Sequence, residues 1–305
     1  MRFLLRRVPQ LVVVLFGVSI VTFGLVRLTG DPITVLLGET ATQEAIAQMR
    51  SELALDRPVH VQYARFIRNA LRGDFGDSLR YRQPALTLFV ERLPATLELA
   101  GAALLLALII GLPIGITAAL RPQSAFDGLV RGLALTGQAI PGFYLGLVAI
   151  ILFGAQLRLL PTGGRGSLAH LILPAATLAA YQVAIVARFA RGAMLEVLGE
   201  DYIRTAQAKG LRRLRVILQH ALRNALIPVV TIIALQVGTL LSGAVVTETV
   251  FSWPGVGRLA VQAIYTRDFP IVQVTVMVTA ALFVAINLLT DLLYVLLDPR
   301  VRVGD

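Results

Sequence analysis

The stretch LAGAALLLALIIGLPIGITAAL (Leu99–Leu120) contains no charged side chain. As a helix rising 1.5 Å per residue it covers about 33 Å, enough to cross a hydrocarbon core of about 30 Å. Lipid offers the backbone no hydrogen-bond partner, so such a block must satisfy its own N–H and C=O groups as a helix or within a closed barrel. The alternation of a barrel strand is absent, which leaves the helix.

Blocks of the same kind recur at Val8–Val26, Gly132–Leu157, Leu168–Ala187, Ala225–Thr247 and Pro270–Thr290. The expected fold is an all-α membrane protein with six transmembrane helices. Arg2, Arg6 and Arg7 before the first block resemble the start of a signal peptide. The apolar part is too long for one and no A-x-A-like site follows, so a retained helix is expected. Gly111-Leu112-Pro113, Pro141-Gly142 and Pro174 fall inside spans. Close helix packing is the simpler account of them, and bending around a pathway is the functional one.

Composition agrees. The 305 residues are 56% hydrophobic and 15% charged, against about 25% charged in soluble domains. There is no cysteine, which removes disulfides and thiolate chemistry. The net charge is +10. A soluble chain with that balance suggests nucleic-acid binding, but arginine beside membrane spans is the ordinary topology signal, and no nucleic-acid partner is expected. With both termini cytoplasmic, the inner segments hold fifteen basic residues and the two short outer loops hold two each. The positive-inside rule therefore puts both ends in the cytoplasm.

Four regions follow: an N-terminal transmembrane helix (1–27), an extracytoplasmic segment (28–96), a five-helix core (97–297) with a cytoplasmic loop at 188–224, and a short cytoplasmic tail (298–305). The segment between the first two spans is expected to be helical. It has an apolar-periodic stretch around Glu44–Leu55. A second helix could be capped by Asp56, begun by Pro58 and ended by Gly73, with Val61, Ala64, Phe66, Ile67, Ala70 and Leu71 on its apolar side. The GDFGDS run at Gly73–Ser78 reads as a turn cluster.

No catalytic constellation is present. His60, His170 and His220 fall in separate regions, and neither H-E-x-x-H nor G-x-S-x-G occurs. The only lysine, Lys209, is not in a P-loop, so no nucleotide or metal cofactor is expected in this chain. Glu98 and Glu248 belong at outer span ends. Asp291, deeper in the last span, is the best candidate for a proton relay, although a helix-end acid paired with an arginine is the simpler account.

The most informative loop is DYIRTAQAKGLRRLRVILQHALRNALIP (Asp201–Pro228). Residues 201–209 read as a two-turn helix with Asp201 at its positive end and Gly210 as the left-handed residue that closes it. A second helix from Leu211 would carry Leu211, Leu214, Ile217, Leu218, Ala221, Leu222, Ala225 and Leu226 on one face. Arg212, Arg215, Gln219 and Arg223 would lie on the other. Binding anionic membrane lipid accounts for the second helix. It does not account for the first, whose small side chains suit close docking against a protein partner.

Asp201–Pro228 resembles the cytoplasmic loop of ABC importer permeases, whose consensus is E-A-A, three residues, Gly, then I-x-L-P. Arg204, Thr205 and Ala206 stand where E-A-A would, and Gly210 is the glycine. The glutamate is absent and Pro228 comes five residues late. DYxRTAxAKG followed by HALRNALIPVV is similar to the form of this loop in the peptide-transporter branch. GDP (Gly30–Pro32), LDRPVHVQY (Leu55–Tyr63), GDFGDSLRYRQP (Gly73–Pro84), ERLPATLELA (Glu91–Ala100), LLPTGG (Leu159–Gly164) and ETVFSWPGVGRL (Glu248–Leu259) extend the resemblance over nearly the whole chain. Together they resemble the first membrane subunit of dipeptide, oligopeptide, glutathione and nickel importers.

That resemblance implies a non-catalytic permease in a bacterial plasma (inner) membrane. It implies a second homologous permease, two ATP-binding subunits that hold ATP and Mg, and an extracytoplasmic peptide-binding protein. It also implies that Asp201, Tyr202, Arg204, Thr205, Ala206, Ala208, Lys209, Gly210 and Leu211 form the helix that couples to an ATPase. Short peptides are the expected cargo. Glutathione or nickel and other metal chelates are the alternative within the family, and a stand-alone secondary carrier is the alternative outside it. No substrate-binding residue can be assigned from the sequence.

Overall fold

A computed structural model describes residues 2–28, Thr42, Glu44 and 56–297. The expected helix around Glu44–Leu55, the GDP motif at 30–32 and the tail at 298–305 lie outside the described residues, apart from Glu44 itself. Among the described residues the regular structure is helical, with one isolated bridge pairing Asp77 with Pro84.

The elements are α1 (Arg2–Leu28), α2 (Val59–Ala70), α3 (Ala85–Leu120), α4 (Ala125–Ala139), α5 (Gly142–Ala149), a π-helical turn π1 (Ile150–Gln156), α6 (Leu168–Leu198), α7 (Asp201–Ala208), α8 (Arg213–Arg215), a second π turn π2 (Val216–Ala221), α9 (Leu222–Val250), α10 (Val256–Thr266) and α11 (Phe269–Leu297). Among the described residues four stretches are long and apolar enough to cross a membrane: α3, α6, the run Arg213–Leu240, and α11 from Phe269 to Thr290. The bent pair α4 and α5–π1 raises that to five. In α1 the apolar stretch Leu11–Leu25 is shorter. Asp291 lies in α11, with its side chain outside the described residues.

The third expected span is not one straight helix. The axis turns by 99° between Ala139 and Gly142. Ile140 has φ −81° and ψ 125°, and Pro141 has φ −60° and ψ 134°. A residue before proline is driven out of the helical region by contact with the proline ring, and proline itself brings no N–H. Pro174 and Pro228 remain inside continuous helices.

The chain divides into two units. The first comprises Met1–Pro94 and Arg258–Ala285. Here α2 packs on α1 through aromatic rings. Tyr63 meets Phe23 edge-on at 5.3 Å between centroids, and its hydroxyl lies 2.6 Å from that of Ser19. The inner side of α2 is therefore Tyr63, Phe66, Ile67 and Ala70, while Val61, Ala64 and Leu71 are exposed. Asp56 does not cap this helix, because the N-cap position is Pro58. Gly73 and Gly76, both at positive φ, shape the following turn. Asp268 fastens that turn. Its buried carboxylate accepts from the Ser78 hydroxyl at 2.5 Å and from the Leu79 and Arg80 N–H groups at 3.2 Å.

The second unit comprises Ala95–Gly257 and Ile286–Asp305. Its apolar core joins α3, α6 and α9 through Leu99, Ala103, Leu178, Ala179, Leu240 and Ala244, with Trp253 against them. The Trp253 indole N–H donates to the Ala95 carbonyl at 2.8 Å. Small residues set the helix spacing. A Cβ on Gly115 would collide with the Ala187 carbonyl, and one on Gly111 would crowd Val186 at 3.0 Å. This is the close backbone approach that glycines four apart permit in membranes. Glu248 is fully buried and accepts from the Thr96 hydroxyl at 2.6 Å. Glu98 is exposed and pairs with Arg165 at 2.6 Å.

Candidate coupling site

Helix α6 ends at Leu198. Gly199 and Glu200 turn the chain, and α7 starts at Asp201. No side chain caps α7, so Asp201 in the first turn supplies the negative charge that suits the positive helix end. Arg204 pairs with Asp201 at 3.1 Å in full solvent exposure, where such a pair stabilises little.

Two side chains of α7 point inward. Ile203 and Ala206 are buried in a cluster with Ala119, Met194, Val216, Ala221 and Ala225. The Tyr202 hydroxyl accepts from the Asn224 amide at 2.8 Å, which ties α7 to α9. Thr205 donates to the Asp201 carbonyl at 3.0 Å. Of the residues singled out in the sequence, Asp201, Tyr202, Arg204, Thr205, Ala208, Lys209 and Gly210 are exposed, Ala206 faces the chain's own core, and Leu211 is half-buried against that core.

The C-terminal end of α7 is fixed by the backbone. Gly210 has φ 75°, and nothing lies within 4 Å of where a Cβ would be, so the constraint is conformational rather than steric crowding. Its N–H donates to the Gln207 carbonyl at 2.9 Å, and the Leu211 N–H donates to Ala206 at 3.4 Å. This paired closure, with a following apolar residue packed inward, is the Schellman motif.

The second helix departs from the simple amphipathic reading. The π turn π2 shifts its register, and the inward residues become Val216, Ala221 and Ala225. Leu214 and Leu218 are 66% and 52% exposed, beside exposed Arg212, Arg213 and Arg215. A single ideal helix would have put those leucines on the packed side.

One element had no signal in the sequence. Asp127 is 0% exposed and holds Arg191 of α6 through two charge-assisted bonds, one of 2.8 Å between Oδ2 and Nη2 and a shorter one between Oδ1 and Nε. The Gln123 N–H donates to Asp127 at 3.1 Å, and Ser124 caps α4 by accepting from the Asp127 N–H. The start of α4 is thus clamped to α6 about two turns before the α7 elbow.

Among the described residues no three His, Cys, Asp or Glu side chains gather at a metal-binding distance. What the site offers is a short helix, exposed on one side and seated on its own chain by Ile203 and Ala206, following a helix apolar and long enough to span a membrane.

Comparison with known proteins places this multi-helix chain among the membrane components of transport systems. Residues 111–303 match the family described as binding-protein-dependent transport system inner membrane component, and residues 1–100 match the N-terminal membrane component of the same systems. The chain belongs to this family. It is 43% identical to the dipeptide transport system permease protein DppB of Escherichia coli K12 over 99% of both chains. It is also 43% identical to the di/tripeptide transport system permease protein DppB of Pseudomonas aeruginosa over 98% of both. The glutathione transport system permease protein GsiC of Salmonella paratyphi A is 42% identical over 99% of both. In fold it is similar to a chain of the inward-facing MetNI methionine ABC transporter, with a TM-score of 0.58 and 21% identity over 70% of this chain and 97% of that one.

Proposed function

We propose that this chain is a permease subunit of an ATP-driven inner-membrane importer of short peptides. It would have six spans with both termini cytoplasmic, the first being α1 and the third the bent pair. It lines the translocation path with a second, homologous permease. Two ATP-binding subunits hold ATP and Mg, and an extracytoplasmic binding protein delivers the peptide. The cytoplasmic loop 188–224 presents Asp201, Tyr202, Arg204, Thr205, Ala208, Lys209 and Gly210 to a groove of one ATPase. Ala206 and Leu211 seat that helix on its own chain. Closure of the ATPases moves α7 as a rigid body and thereby tilts α6 and α9. This chain performs no chemistry of its own.

The observation that carries the reading is the exposed α7, held by Ile203 and Ala206 and closed by Gly210. The peptide assignment draws on the names of the similar permeases. Glutathione, itself a peptide, is the second reading within the family. The test is reconstitution with the second permease and the ATPases, followed by ATP hydrolysis with and without a peptide-loaded binding protein. Stimulation by the loaded protein is the expected result. A stable complex that ignores every loaded binding protein would overturn the peptide assignment, and failure to associate with any ATPase would overturn the importer.

A further inference from the structure

A partly open cavity of about 300 Å³ lies among α6, α9 and the break between α4 and α5, at the small end of the range for ligand pockets. Its walls include Ile140, Phe143, Tyr181, Gln182 and Thr239, and no charged residue or histidine lines it. Gln182 is the notable member. It is 3% exposed, in the middle of a helix long and apolar enough to span a membrane. Polar groups at such depth are costly and tend to mark pathways.

The hydrogen bonds around Gln182 are unevenly filled. Its carbonyl oxygen accepts from the Gln236 amide at 3.0 Å. Its own nitrogen reaches the Thr239 hydroxyl at 3.4 Å, near the outer limit of a hydrogen bond. The Thr239 hydroxyl already donates to the Gln236 carbonyl at 2.8 Å. A carboxamide nitrogen carries two donors, so Gln182 has its acceptor engaged by a neighbour and donor capacity to spare. Gln236 is not itself among the residues lining the cavity. It positions Gln182 from behind.

A cavity with a spare N–H and no charge suits a neutral acceptor. No counter-charge lines the cavity, so the contact Gln182 offers is to a neutral amide carbonyl, with the charged ends of a short peptide left toward the open side. We propose that Gln182, positioned by Gln236 and backed by Thr239, is a passage site that receives a backbone carbonyl of the peptide in transit. The proposal rests on the peptide-importer reading above. A backbone carbonyl is common to every short peptide, so the contact tolerates any side chain, and the apolar wall of Ile140 and Phe143 is indifferent to side-chain detail. Such a site is weak enough to release its cargo onward.

The test compares two cargoes, dialanine and its ester analogue alanyl-lactate, whose carbonyl is the poorer acceptor. Uptake is measured into liposomes holding the complete transporter with one binding protein throughout, so that the binding protein's own preference cancels between variants. Wild type is expected to favour dialanine by a margin that includes the difference between an amide and an ester acceptor, a fraction of one hydrogen bond and so at most about fivefold. Gln182→Leu is expected to narrow that margin by about the same factor. An unchanged margin in Gln182→Leu overturns the proposal. Where that variant does not assemble, Gln182→Met keeps the length of the side chain and removes its N–H donors, and the margin must narrow there too or the proposal falls. If the wild-type complex carries neither compound and no loaded binding protein stimulates ATP hydrolysis, the peptide reading fails and takes this site with it. That outcome is distinct from a transporting complex whose margin does not depend on Gln182.

Discussion

Asp127 and Arg191 lie 64 residues apart in sequence and meet in a two-bonded pair that fastens the start of α4 to α6. The acid also accepts the Gln123 N–H, so one carboxylate closes the turn before α4 and braces the helix that carries α7. Removing it would leave Arg191 facing a pocket built for a negative charge. Asp127→Ala is expected to lower the unfolding midpoint in detergent and to weaken stimulated ATP hydrolysis, with Asp127→Asn affected less because it keeps the shape and one acceptor. A midpoint equal to wild type in Asp127→Ala would show that the clamp carries no stability.

Gly210 holds a left-handed conformation in open space. An L-residue there costs about 1–2 kcal/mol, more for a β-branched side chain. Gly210→Val should therefore distort the end of α7 and uncouple transport from ATP hydrolysis, while Gly210→Asn, which tolerates this conformation, should retain most of it. Uptake assays on the two variants decide the matter, and wild-type uptake by Gly210→Val would remove the conformational argument.

Ile203 anchors α7 to its own chain and is buried to 1% exposure. Trimming such a residue to alanine generally costs about 2–5 kcal/mol through lost burial and the cavity left behind. With the lever loosened, Ile203→Ala is expected to keep its membrane insertion but to lose much of its response to a loaded binding protein. An unaltered ratio of stimulated to basal ATP hydrolysis would count against a rigid lever.

Asp268 satisfies one hydroxyl and two backbone N–H groups of the turn at Ser78–Arg80. Asp268→Ala orphans these donors, and a buried group left unsatisfied costs about 1–3 kcal/mol. The expected result is faster proteolysis within 73–84 and weaker docking of the binding protein, with ATPase association intact. Unchanged cleavage kinetics would mean that the turn is held by other contacts.

Much of this was legible in the sequence because it is local. Apolar blocks announce helices, and a glycine after a short polar helix announces a left-handed closure, as at Gly210. The bend at Ile140–Pro141 was harder. Composition is apolar on both sides of it, and hydropathy carries no record of ψ; only the Pro-Gly pair hinted at the break. The inward face of the helix after Gly210 departs from the periodic pattern at Leu214 and Leu218 because a π turn changes the spacing of side chains, and sequence periodicity assumes that spacing is constant. The Asp127–Arg191 and Asp268–Ser78 partners are distant in sequence, so no local pattern joins them. Gln182 gave no signal, since one glutamine in an apolar block is unremarkable until its neighbours on another helix are known.

The closure of α7 has a consequence for inhibition. An isolated peptide of about eight residues does not hold a helix in water, because nucleation costs more than so few bonds return. Here the cluster around Ile203 and the bonds at Gly210 supply the missing order. If α7 docks on an ATPase as proposed, a soluble decoy copied from Asp201–Leu211 would therefore be a poor competitor for it unless stapled into shape, whereas a small folded scaffold bearing the same outward residues would be an effective one.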